Sequence, residues 1–437
     1  MVTFNSSLSF LRWGMKKLEN LREREIEGDL SKKIEIGREK QLMSRVYRHL
    51  GVLLMACGLI GLFLLSSCSK PSAPQGVGEK SSASVSREEG KIYIGWVAPL
   101  TGTVASCGQQ MLNGAKLAAK EINSSGGING KQIEIIAQDD KSDPKEAANI
   151  ANKFTADNRL IAVLGNYNSS CGLAGAPIYD QAKLPMIHVG TSPVFTERNH
   201  KYLFRISTTD AFQGSFVTKW MYEEGVKNVA ILYENDDYGR GLKDTVTQEM
   251  QRLGGKVAGS WSYMLGETKD YTALLTNVKN SGADALFIGG LYTEAALIGK
   301  QMKQVGLKLP VYGTDGLYEK ALIDLGGEAV EGYRVCGLFY PDDPDPKVQA
   351  FVKSYKVEYG ELPGTYAALD YDAMKLLAKA IQSAGENREK IQAYLAKMPE
   401  PFVGVTGTFT FDEHHDANRA KLQKLTVKNG QWVFYNK

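Results

Sequence analysis

Two short polar loops carry the hydroxyls best placed to do chemistry. NYNSS (166–170) follows the apolar run IAVLG (161–165), and GTSP (190–193) follows PMIHV (185–189). Each joins a strand-like run to a helix-like segment, with Ser192 expected as a helix cap and Pro193 at the first helical position. Helix N-termini present unpaired N–H groups, so two of them on neighbouring strands form a site for a carboxylate or phosphate. A second set brings phenols and an acid to comparable strand ends: Tyr238 in NDDYG (235–239), Tyr271 at the head of a helix, and Glu294 after GGLYT (289–293). An acid across a cleft from an anion site suits an ammonium group, and the two walls together describe an α-amino acid.

Catalytic constellations are missing from the same sequence. GGINGK (126–131) lacks the spacing and the Ser/Thr of a phosphate-binding loop and reads as a β-turn. No GxSxG, HExxH or post-strand GxGxxG occurs. His188 ends a strand and is expected to pack in a core. The five cysteines, Cys57, Cys68, Cys107, Cys171 and Cys336, include no CxxC pair and no Cys/His ligand spacing, which argues against a structural metal. No enzyme activity, cofactor or metal is therefore expected.

These loops need a scaffold, and the chain is long enough to build one. Its 437 residues are 43% hydrophobic and 23% charged, ordinary for a globular protein. The net charge of +3 comes from residues 1–67, which hold 11 Lys+Arg and 7 Asp+Glu and leave 41 basic against 42 acidic residues in the remainder. No basic excess is left to drive nucleic-acid binding.

The uncharged stretch LGVLLMACGLIGLFLL (50–65) behind Arg45 and Arg48 has the proportions of a signal-peptide core. The small residues of Leu65-Ser66-Ser67-Cys68 resemble a bacterial lipobox, so Cys68 is expected to be lipidated and to become the mature N-terminus. Residues 43–67 then form the signal peptide, with Met43 as the expected start. Residues 1–42 are either a misassigned extension or a true cytoplasmic one. The Ser-, Pro- and Gly-rich segment 68–90 reads as a flexible tether.

From Lys91 onward, β-branched runs alternate with helical patterns. IYIGWV (92–97), QIEIIAQ (132–138), 161–165 and 185–189 read as buried strands. A second series follows at VAILY (229–233), KVAGSW (256–261), ALFIG (285–289) and VYG (311–313). So regular a restart predicts two doubly wound α/β lobes, each a parallel sheet with helices on both faces. Helices are predicted over 346–359 and 366–384, followed by a polar hairpin-like end in which GTFTFD (407–412) precedes LTVKNGQWVFY (425–435), turning at Asn429-Gly430. Ligands of such sheets bind beyond the carboxyl ends of strands, where the polar loops lie.

Taken together, GWVAPLTG (95–102), NGAKLAAKEINSSGGINGKQIEII (113–136), DDKSDPKEAANIANK (139–153), GNYNSS (165–170), DDYGRGL (236–242) and IGGLYTEAALIGKQMKQVG (288–306) resemble the branched-chain amino acid binding proteins of ABC transporters, a type I periplasmic binding protein group. The resemblance covers about residues 91–435. It implies two Rossmann-like lobes joined by three crossovers, lobe 1 from 91–207 plus 318–407 and lobe 2 from 208–317 plus 408–437, closing on a ligand. It further implies that Ser169, with Gly190, Thr191 and Ser192, binds a carboxylate, and that Glu294 binds an ammonium. Tyr238 and Tyr271 would close over the ligand, and Asp315 would add an acceptor. Cys107, expected in the first βα loop, stands where relatives often place an aromatic, which alters the side-chain pocket. Cys107 and Cys171 could pair as a disulfide or remain free thiols.

The function expected from this resemblance is a lipid-anchored, extracytoplasmic, monomeric receptor that hands an amino acid, branched-chain or related, to an ABC permease and ATPase. Alternatives are a receptor for an amide, urea-like or aromatic carboxylate ligand, a sensory subunit without transport, and a lipoprotein hydrolase using Ser169 or Tyr238.

Overall fold

The computed structural model describes residues 88–419 and 422–436. The expected signal peptide, the expected lipidation site Cys68 and almost all of the expected tether lie outside these residues. The first sheet is built from β1 (Lys91–Ala98), β2 (Gln132–Asp139), β3 (Leu160–Gly165), β4 (Met186–His188) and β5 (Leu203–Arg205) in the order β2-β1-β3-β4-β5. All its pairings are parallel. Between the strands run α1 (Ala105–Ser124), α2 (Pro144–Ala156), α3 (Ser169–Gln181) and the single turn α4 (Val194–Glu197). β1 and β3 are buried almost throughout, as expected of strands covered on both faces.

The chain then enters the second sheet through α5 (Asp210–Glu223), capped by the hydroxyl of Thr209, which accepts from Phe212 N–H. This sheet collects β6 (Asn228–Glu234), β7 (Lys256–Tyr263), β8 (Ala285–Gly289), β9 (Val311–Gly313) and β10 (Arg334–Gly337) as parallel strands. Two antiparallel strands complete it, β13 (Gln423–Lys428) and β14 (Gln431–Phe434), giving the order β14-β13-β10-β9-β8-β6-β7. Its helices are α6 (Asp237–Arg252), α7 (Thr272–Asn280), α8 (Tyr292–Gln304) and α9 (Lys320–Gly326). The expected turn joins β13 and β14, with Asn429 and Gly430 both left-handed at φ 54 and 70, the geometry of a type I′ hairpin.

Two expected lobe boundaries move. The return to lobe 1 was placed at 318, but β10 pairs with β9 in the second sheet, so the chain crosses back after Gly337. The last crossover was placed at 408, but Asp416 bridges Arg205 of β5, and Ala417 N–H donates to Arg205 O, so this segment lies on the edge of the first sheet. GTFTFD does not join the final hairpin either. Its residues form β12 (Gly407–Phe409), which pairs with β11 (Phe402–Gly404) in a separate ribbon.

The remaining helices, α10 (Pro346–Tyr359), α11 (Thr365–Ala384) and α12 (Arg388–Ala396), return to the first lobe. α11 packs on α1 so closely that a Cβ on Gly114 would lie 2.0 Å from Ala367 O. Beneath this contact Trp96 Nε1 donates to Asp370 Oδ2 at 2.7 Å, a buried bond between β1 and α11.

In both sheets the strand order reverses beside a central strand, between β1 and β3 in one and between β6 and β8 in the other. The loops that leave these strands diverge and open a crevice, so the two lobes offer each other their ligand-binding edges.

Candidate functional site

Gly165 ends β3 with φ +117, where a Cβ would strike Val97 O at 1.8 Å, so only glycine lets the loop turn there. Asn166 Nδ2 then anchors the loop to Asp140 Oδ2 at 2.7 Å. Burial raises the Asp140 carboxyl to about 6. Helix α3 starts at Ser169 without a side-chain cap, which leaves its first-turn N–H groups available to an anion. The Ser169 hydroxyl accepts Ser192 N–H at 3.1 Å and so ties the two expected anion loops together.

Arg205 holds the second of these loops from beneath. Its fully buried guanidinium donates to Gly190 O at 3.1 Å, Ser192 O at 2.7 Å and Thr196 Oγ1 at 2.7 Å, and pairs with Asp416 at 2.7 Å. Its only signal in the sequence is a cation inside the apolar run YLFRIS. His188, also fully buried, packs on Phe195 and is held down at about 3 by burial and by the charge of Arg205, so it is a neutral core residue, as expected.

The opposite wall is built from α6 and the turn Asp315–Leu317 after β9. The Tyr238 hydroxyl lies 2.8 Å from Thr314 Oγ1, donates to Asp315 Oδ1 at 3.1 Å and accepts Gly316 N–H at 3.2 Å. Asp315 is 3% exposed and takes a second phenol, Tyr366 OH, at 3.4 Å. Burial raises its carboxyl above the ordinary range. Asp236 caps α6 by accepting Gly239 N–H at 2.8 Å, and burial lifts its carboxyl to about 6.

Between these walls lies a cavity with about 310 Å³ of empty space, its mouth included, lined by Tyr167, Asn168, Ser169, Val189, Gly190, Thr191, Asp236, Tyr238, Leu291, Asp315 and Tyr366. The lobes are closed over it. Ser170 Oγ donates to Asp237 Oδ2 at 2.8 Å and accepts Asp237 N–H at 3.2 Å, and the hydroxyls of Ser106 and Tyr292 meet at 2.7 Å.

Of the expected site residues, Ser169, Gly190, Thr191, Tyr238 and Asp315 line this cavity. Ser192 reaches it only through its bond to Ser169, and it does not cap α4, whose N-terminal flank is Pro193. Glu294 and Tyr271 do not line it. Glu294 is the third residue of α8, and the turn of that helix aims its carboxylate at Gly266 N–H, 3.0 Å away, and at the Thr293 hydroxyl, while Leu291 faces the cavity. Tyr271 is fully buried edge-on against Tyr263, with ring centroids 5.4 Å apart. Cys107 lies inside α1, not in a loop, and is buried behind the lining, where burial and the nearby Glu319 carboxyl push its thiol well up. Cys107, Cys171 and Cys336 are free thiols, so no Cys107–Cys171 disulfide forms.

Sequence reasoning missed Asp236, Tyr167, Asn168, Val189, Leu291 and Tyr366. The D-x-x-G cap of α6 marks Asp236 locally, whereas Tyr366 arrives from α11, far along the chain. Among the described residues no group of His, Cys, Asp and Glu is arranged to hold a metal, and no helix is long and apolar enough to cross a membrane.

A match to the periplasmic binding protein family spans residues 91–431. The chain belongs to that family. Leu/Ile/Val-binding protein homolog 2 of Brucella abortus (strain 2308) is 35% identical over 350 residues, 79% of this chain and 92% of that protein. The crystal structure of a leucine-binding protein from Thermotoga maritima MSB8 superposes with a TM-score of 0.74 at 32% identity, over 79% of this chain and 98% of that one. A branched-chain amino acid transporter substrate-binding protein of Streptococcus pneumoniae, in complex with isoleucine, gives 0.73 at 30% identity, over 78% and 97%. This periplasmic binding protein thus shares its two-lobed α/β fold with proteins that capture solutes, and the family implies a place of work outside the cytoplasm.

Proposed function

We propose that this periplasmic binding protein captures an amino acid between its lobes and delivers it to an ABC permease, without chemical turnover. One observation carries the reading: Ser169 and Asp315, from opposite lobes, line the same closed cavity. The first-turn N–H groups of α3, with the Ser169 hydroxyl and the loop 190–192, suit a carboxylate. Asp315 suits the ammonium, in the role expected of Glu294, because Asp315 lines the cavity, as Glu294 does not, and has two phenols orienting its carboxylate. An acid in this position favours an amine-bearing ligand over a purely anionic aromatic acid. The names of the leucine- and isoleucine-binding relatives support the same class.

In this reading the ligand binds the folded state alone and stabilises it by RT ln(1 + [L]/Kd), about 2.7 kcal/mol at 100-fold excess over Kd. Thermal denaturation against the α-amino acids tests it, and at least one should raise the melting temperature in a concentration-dependent way. A response to amides or aromatic acids only would refute it. The proposal includes an anchor: Cys68 carries the lipid, residues 69–90 tether the monomeric body to the membrane, and the permease and ATPase are its partners.

A further inference from the structure

Beside the ligand cavity, and sharing Asn168 and Asp236 with it as lining, lies a second groove between the lobes, with about 1310 Å³ of empty space including its open mouth. Five carboxylates line this groove, against Lys141 and Arg240. Arg240 is already engaged, donating to Asn235 Oδ1 at 3.1 Å and Asp237 Oδ1 at 3.2 Å.

Most of the acids have structural work. Asp143 caps α2, Asp236 caps α6, and Asp237 joins the lobes through Ser170. Glu234 does not. It sits at the end of β6, 4% exposed, and its Oε2 has no hydrogen-bond partner. Burial, with Asp236 and Glu294 nearby, pushes its carboxyl well up. Asn168, 9% exposed and shared by the two linings, likewise has an Oδ1 without a partner. Glu234 and Asn168 thus both line the groove, and each keeps a buried oxygen that meets no protein donor, a costly arrangement unless something else donates. The ammonium of an α-amino acid, held at Asp315, leaves both unanswered.

We propose that the groove is a subsite for a cationic group at the far end of the ligand, held by Glu234 and Asn168, so that the protein selects amino acids with basic side chains over branched aliphatic ones. This rests on the amino acid reading above and narrows its substrate class. A guanidinium or terminal ammonium supplies several donors and a charge to a region rich in acceptors, whereas an aliphatic side chain would leave the acceptors dry and unpaired.

The test is calorimetric titration of the full chain, freed of retained ligand by reversible unfolding, with L-arginine, L-lysine, L-leucine and L-valine. Arginine or lysine should bind at least 10-fold more tightly than leucine or valine, and Glu234→Gln, which keeps size and shape, should weaken that basic amino acid by at least 10-fold while circular dichroism stays unchanged. Leucine or valine binding as tightly as the basic amino acids would overturn the subsite while leaving amino acid capture intact. Undiminished affinity of a basic amino acid for Glu234→Gln would also overturn it. If none of the four binds, and no other α-amino acid stabilises the protein, the amino acid reading itself fails and the subsite falls with it. Should Glu234→Gln not fold, the preference of the unaltered protein among the four ligands still decides.

Discussion

The hydroxyl of Tyr238 stands 3.1 Å from Asp315 Oδ1, and the Gly316 amide donates to that same hydroxyl at 3.2 Å. A phenol from α6 is thereby locked to the acid that follows β9, two elements of one lobe that share a face of the cavity. If Asp315 receives the ligand ammonium, Asp315→Asn should cost about 2–5 kcal/mol of binding, roughly 30-fold to several thousand-fold in Kd. Tyr238→Phe should cost about 1 kcal/mol through lost orientation. Glu294→Gln should change affinity by much less than Asp315→Asn, because the Glu294 carboxylate is turned to the 266 loop. Calorimetry on the three variants, ranked, checks the assignment. A larger loss in Glu294→Gln than in Asp315→Asn would return the ammonium to Glu294.

Arg205 should act on stability before it acts on binding. Its guanidinium joins the 190–192 loop to Asp416 at the edge of the first sheet. Arg205→Met removes the cation and leaves Asp416 and two loop carbonyls short of partners, so a loss of about 3 kcal/mol in unfolding free energy is expected. Urea denaturation should show a lower midpoint at unchanged slope. An unchanged midpoint would mean the loop holds itself.

The ligand-free protein should be more stable at pH 5 than at pH 8. Burial raises Asp140 and Asp236 to about 6 and Glu319 and Asp370 to about 7 in the folded state. Each then binds more protons folded than unfolded above about pH 4, so its contribution is complete below that pH and is lost as pH rises through 6–7. His188, held at about 3, and His415, lowered by burial, work in the opposite direction below about 6.5, but they are two groups against four. Asp370→Asn keeps an acceptor for Trp96 while removing one titration, and should flatten the decline by about 2–4 kcal/mol. Denaturation curves at both pH values would contradict this if wild type were the more stable at pH 8.

Cys68 lies outside the described residues, and its role is checked chemically. Cys68→Ala should abolish incorporation of labelled lipid and leave an uncleaved or unanchored product. A labelled band that persists in the variant would exclude the anchor.

How much of this was legible in advance follows from which interactions are local. Continuous β-branched apolar runs and helical patterns of period 3.6 marked most strands and helices of the two sheets, because those patterns report burial of the segment itself. Asn429-Gly430 announced its hairpin, and the hydroxyl loop before α3 announced a helix start that lines the cavity, because turn and helix-start chemistry is written within a few residues. The sequence by itself thus determined the lobes, the loops that face the cavity, and five of the lining residues. Tertiary structure decided the rest. Whether Glu294 or Asp315 reaches the cavity depends on how α8 and the turn after β9 rotate against the sheet, a matter of packing over the whole lobe. The position of β10 in the second sheet, the pairing of Arg205 with Asp416, 211 positions away, and the arrival of Tyr366 beside Asp315 are all long-range. No local propensity encodes such contacts, since their free energy exists only once distant segments have docked.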